Sequence, residues 1–99
     1  ILIKGSETQL KLLADYLKSN PTLKVEITGH TDNEGVDQRL NQRLSLFRAK
    51  LVSNYLFNQG ILENRIKVDG KGSEMPLAPN DTEENKAKNR RVEIKVFEN

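Results

Sequence analysis

The feature that most constrains this chain is a repeated switch of hydrophobic period, from three-and-four spacing to strict alternation and back. Leu10, Leu13, Ala14 and Leu17 recur at helical spacing and give one apolar stripe. Ahead of them, Ser6-Glu7-Thr8-Gln9 has the form of a capping box, in which a hydroxyl and a Gln side chain serve the open amides of a helix start. Asn20-Pro21 stops the element, because proline disfavours helical geometry at the residue before it, so a helix is predicted over residues 7–19. Leu23, Val25 and Ile27 then alternate with Lys24, Glu26 and Thr28, the period of a strand with one buried face, which ends near Gly29. Over residues 36–58 helical spacing returns and predicts an apolar face of Leu40, Leu44, Phe47, Leu51, Tyr55 and Leu56, with Gly60 as the stop.

Ile66 and Val68 alternate before Gly70-Lys71-Gly72, and Val92, Ile94 and Val96 alternate near the end, so two more strands are expected. Between them, residues 73–89 hold Pro76 and Pro79 and a charged run at 83–88 suited to a short exposed helix. The order helix, strand, helix, strand, strand describes an α+β fold, a sheet packed on one face by two main helices. Residues 1–4 are apolar enough to be the remnant of a fourth strand, so the natural domain is expected to begin upstream. A chain of 99 residues suffices for one modest core, and a single domain over 1–99 is the expectation.

Composition excludes several functions. No apolar run approaches the roughly 20 residues of a membrane-spanning helix, and neither end reads as a signal peptide. With no cysteine there are no disulfides or thiolate metal sites. The single histidine, His30, has no second histidine for a zinc spacing and no nucleophile to serve, so a packed or capping role is expected, with no metal, no cofactor and no catalysis. Ser45 is expected to make a hydrogen bond within the helix or groove. The 16 basic and 14 acidic side chains are interspersed, which describes a solvated surface. Only the pI near 9.0 and the Arg90-Arg91 pair favour nucleic acid, and base-stacking aromatics are absent, so that partner is not expected.

Four motifs remain: Gly29-His30-Thr31-Asp32-Asn33-Glu34-Gly35, Asn41-Gln42-Arg43-Leu44-Ser45-Leu46-Phe47-Arg48-Ala49, Gly70-Lys71-Gly72, and Asn89-Arg90-Arg91-Val92-Glu93-Ile94. In this order and spacing the series resembles the C-terminal domain of OmpA, also found in the peptidoglycan-associated lipoprotein and in MotB. The resemblance implies a mixed sheet in βαβαββ order with its first strand truncated here. It further implies non-covalent binding of peptidoglycan, chiefly the meso-diaminopimelate residue of the stem peptide, in a groove beside the second helix. Such a module would anchor a longer outer-membrane-associated protein to the wall in a Gram-negative periplasm.

Asp32 and Arg48 match the family's two principal ligand residues, Asn41 and Arg90 fall on positions lining its site, and Glu34 and Leu44 would be groove walls. The chemistry agrees: diaminopimelate carries an ammonium and a carboxylate at its free end, for which a carboxylate and an Arg fork are the matching partners. The amides opening the second helix form a further expected anion site. Three features depart from the family pattern. The stretch from Asp32 to Asn41 is one residue longer than the commonest spacing, Lys86 stands where many members have Arg, and the first strand is missing or reduced. These departures motivate the alternative reading, a protein-interaction module on the same fold that has lost peptidoglycan binding.

Overall fold

The computed structural model describes residues 6–33 and 37–98, with side chains from Thr8 onward. The expected strand at 1–4 and the Ser6 side chain of the capping box lie outside the described residues. In chain order come α1 (Ser6–Ser19), β1 (Leu23–Gly29), α2 (Gln38–Asn58), β2 (Ile66–Gly70), α3 (Glu83–Asn89) and β3 (Val92–Glu98), with a turn of 3-10 helix at Glu63–Arg65 ahead of β2.

Among the described residues the sheet has the order β2-β1-β3, with β1 parallel to β2 and antiparallel to β3, hence mixed. The register sets Ile27 between Val68 and Ile94, and Val25 between Ile66 and Val96. Cross-strand neighbours share a face, so the alternation read from the sequence assembles one apolar face. The other face carries Lys24, Glu26, Lys67 and Lys95, including a Lys67–Glu26 ion pair at 3.6 Å. Both long helices bury their stripes on the apolar face. Leu10, Ala14 and Leu17 from α1, Val25 and Ile27 from β1, and Ala49, Val52 and Leu56 from α2 form the core, closed below by Ile61.

The inner face of α2 differs from the predicted one. Asn41, Ser45, Ala49, Val52 and Leu56 are buried, whereas Leu40, Leu44 and Phe47 are 60%, 42% and 57% exposed, with Leu51 and Tyr55 half-buried. The cause is the separation of helix and sheet. A Cβ built on Gly29 would fall 1.9 Å from the Ser45 carbonyl oxygen, and one on Gly70 would fall 2.6 Å from the Leu46 nitrogen. With backbone so close to backbone, only small side chains fit between, and the bulky ones turn outward.

The ends of the elements follow local chemistry. α2 begins one residue after Asp37, whose side chain accepts from the Arg39 amide at 2.9 Å, rather than at the predicted Val36. It ends in a Schellman arrangement: Ile61 N–H donates to Leu56 and Gly60 N–H to Phe57, with Gly60 at φ 101°. The charged run at 83–88 is α3, opened by Thr82, whose hydroxyl accepts from the Asn85 amide.

Candidate functional site

The C-terminal end of β1 continues straight into the GHTD segment. His30 N–H donates to Arg91 O and Thr31 N–H to Gly72 O, both at 2.8 Å. The segment is thereby held between β3 and the Gly70–Gly72 turn, and His30, Thr31 and Asp32 are 2%, 4% and 5% exposed. Ser45 ties the same turn to α2, its hydroxyl donating to Gln42 O at 2.8 Å and accepting from Gly72 N–H at 2.9 Å. The Gln42 amide also donates to Gly70 O.

Arg48 reaches over from the next turns of α2 and donates to the His30 carbonyl at 3.3 Å. Arg90, just after α3, approaches from the other side: its Nη1 lies 2.5 Å from an Asp32 carboxylate oxygen, and its Nη2 meets Glu83. Both carboxylates raise the Arg90 pKa, Glu83 more than Asp32, and keep the guanidinium charged. Arg91 braces its surroundings with bonds to Glu93 at 2.9 Å and Met75 O at 3.0 Å. Arg48, Arg90, Arg91 and Val92 together line an open cleft of about 180 Å³. Three arginines line one cleft, and the buried Asp32 carboxylate is bonded to one of them, Arg90; guanidinium groups so placed offer hydrogen-bond donors to an anionic group.

Of the predicted ligand residues, Asp32, Arg48 and Arg90 come together here. Asn41 is buried, 8% exposed, in the first turns of α2 and packed beside Gly72. Leu44 does not line the cleft; it lies on the exposed side of α2, for the same reason of helix-to-sheet separation given above. Glu34 lies outside the described residues. At the start of α2, the expected anion site, the chain itself takes three of the amides. Asp37 Oδ1 takes the Arg39 amide, and the Asp37 carbonyl takes those of Leu40 and Asn41. Arg91, which is not among the predicted ligand residues, braces Glu93 and also lines the cleft; the adjacent pair Arg90-Arg91 leaving α3 is the available signal.

His30 lies beneath this arrangement, packed as expected, with Nε2 3.2 Å from Glu93 Oε1. Burial and then the Arg91 cation lower its pKa, against the smaller upward pull of Glu93. The Arg91 hydrogen bond holds the Glu93 carboxyl below its ordinary range. Among the described residues no three His, Asp or Glu side chains converge as a metal would need. No described helix is long and apolar enough to cross a membrane.

Comparison with known proteins places this arrangement. The model of the OmpA family matches residues 2–90. The peptidoglycan-binding protein ArfA of Mycobacterium tuberculosis is 45% identical over 95 residues, 96% of this chain and 29% of its own length. Outer membrane porin F of Pseudomonas fluorescens is 44% identical over 92 residues, covering 93% of this chain and 28% of the porin. The chain therefore spans under a third of these relatives. Among solved structures, the peptidoglycan-associated lipoprotein of Burkholderia pseudomallei superposes with a TM-score of 0.92 at 29% identity, over 97% of this chain and 80% of that one. The C-terminal domain of Helicobacter pylori MotB gives 0.87 at 27% identity, over 100% and 77%.

Proposed function

The chain belongs to the OmpA family, and from that premise we propose that it binds peptidoglycan without covalent chemistry, through the meso-diaminopimelate residue of the stem peptide. The observation that carries this reading is the meeting of Arg48 and Arg90 at one cleft, with the Asp32 carboxylate bonded to Arg90, from three separate parts of the chain. Arg90 orients the Asp32 carboxylate, which receives the ligand ammonium. The Arg48 fork receives the ligand carboxylate, with Arg90 and Arg91 adding positive potential around it. No step of bond making is involved; the affinity comes from paired charges in a partly enclosed cleft.

A stem peptide with lysine in place of diaminopimelate offers the ammonium but no carboxylate. It would leave Arg48 unmatched, which is the basis of discrimination. The relatives named as outer membrane proteins support a place in the cell envelope, where this segment would serve as the wall-anchoring part of a longer protein in a Gram-negative periplasm.

An NMR titration of the isotope-labelled chain tests this. The diaminopimelate stem peptide should give saturable shifts around Asp32, Asn41 and Arg48, and the lysine peptide should not. Asp32→Ala and Arg48→Ala, folded, should no longer be retained on purified sacculi. Absence of shifts with either peptide, repeated on a version extended upstream, would instead support a protein-interaction module on the same fold.

A further inference from the structure

The outer face of α2 carries a pattern that the cleft does not use. Leu40, Leu44, Phe47 and Leu51 follow one another at spacings of four, three and four residues; the first three are 60%, 42% and 57% exposed and Leu51 is half-buried. At 100° per residue they fall within a band of about 60°, over about 16 Å of helix. That is the narrow seam of a helix which packs along another helix, with Leu40 and Phe47 in one of the two seam positions and Leu44 and Leu51 in the other. A helix lying in a bilayer surface would need a wider apolar face.

Arg43 and Lys50 both fall at the position directly flanking this seam on one side, and Arg39 continues the same row. Arg39 has Asp37 at 3.8 Å, but no carboxylate among the described residues pairs with Arg43 or Lys50. The charge of the helix is one-sided: four of the 16 basic side chains lie on α2 and none of the 14 acidic ones does.

We infer that the outer face of α2 is a docking surface for an acidic amphipathic helix, whose apolar seam meets Leu40, Leu44, Phe47 and Leu51 and whose flanking carboxylates meet Arg43 and Lys50. Charge complementarity selects this occupant. A second copy of the chain is disfavoured, because two α2 helices packed on this seam would set cations against cations in either orientation. The inference concerns a different face from the cleft and does not depend on what the cleft binds.

The test uses two synthetic three-heptad helical peptides with leucine in both seam positions, one with glutamate at the flanking positions and one with lysine. Titrated into the isotope-labelled chain, the glutamate peptide should shift Leu40, Leu44, Phe47 and Leu51 and bind at least tenfold more tightly than the lysine peptide. The pair Leu44→Ser and Phe47→Ser, at exposed positions that leave the fold intact by circular dichroism, should weaken it at least tenfold. Arg43→Glu with Lys50→Glu should reverse the preference between peptides. Equal binding of both peptides, no binding, or shifts away from α2 would overturn the inference. So would binding only to phosphatidylglycerol vesicles, or a concentration-dependent dimer abolished by the serine pair.

Discussion

Each end of β1 is closed by an arginine, and the two are bonded in opposite styles. Beside the first residue of the strand, Arg65 donates to the carbonyls of Leu23, Leu17 and Asn20 at 2.9, 2.8 and 2.9 Å. Past the last residue, Arg48 makes one hydrogen bond among the described residues, 3.3 Å long, to His30 O. A guanidinium with three of its five donors on backbone carbonyls fastens α1, the turn after it and β1 together. One that makes a single long bond at the wall of a cleft retains donors for a ligand. The same residue type thus serves the fold at one end of the strand and, in the proposed function, recognition at the other, and the number of backbone partners separates the two.

The cleft end of β1 has its own structural anchor in the contact of α2 with the sheet, and breaking that contact should have the largest effect. Gly29→Ala sets a methyl group 1.9 Å from a backbone oxygen that no rotamer can move aside. It should cost about 3 kcal/mol or more in urea unfolding, at the top of the range for overpacked sites. A midpoint equal to the parent's would refute the close approach. Arg65→Ala comes next, at about 2 kcal/mol, since three charge-assisted bonds go while water reaches some of the freed carbonyls. Arg48→Ala sharpens the contrast: its stability should change by under about 1 kcal/mol. Its binding of the diaminopimelate peptide should weaken at least tenfold, which corresponds to about 1.4 kcal/mol. Equal stability losses for the two arginine variants would abolish the distinction.

What could be read from the sequence follows the range of the physics involved. Strand alternation and helix stops are local, so the start of β1 at Leu23, its end near Gly29 and the Gly60 stop of α2 are all legible in the sequence. The buried face of α2 was not legible in this way, because it depends on how near the sheet lies. Gly29 and Gly70 allow contact with backbone, and the row Asn41, Ser45, Ala49 then outcompetes Leu40, Leu44 and Phe47 for the inside. Reading the strand-end glycines as clearance would have pointed to the small-residue row. Likewise Asp32, Arg48 and Arg90 were legible as a set through their motifs, whereas the closure of the helix start by Asp37 and the exposure of Leu44 depend on packing across the chain.

The smallest expected effect concerns His30, which follows the last residue of β1 at its cleft end. Its ring is 2% exposed, and Nδ1 meets no hydrogen-bond partner among the described residues. Burial, Arg91 and Lys71 all disfavour the protonated ring, and Glu93 only partly compensates, so its pKa lies below the ordinary 6.5. A group whose folded pKa is depressed contributes fully above its unfolded pKa and loses that contribution as pH falls toward the folded value. Stability should therefore be level near pH 7.5 and decline as pH drops below about 6.5, ahead of the acid titration of carboxylates such as Asp69 and Glu93, both held below their ordinary range. His30→Gln keeps a polar side chain in the site without the titration and should flatten that part of the profile. Urea midpoints at several pH values between 5 and 7.5 measure it, and an unchanged slope in the variant would show that the ring plays no part in the acid sensitivity of the fold.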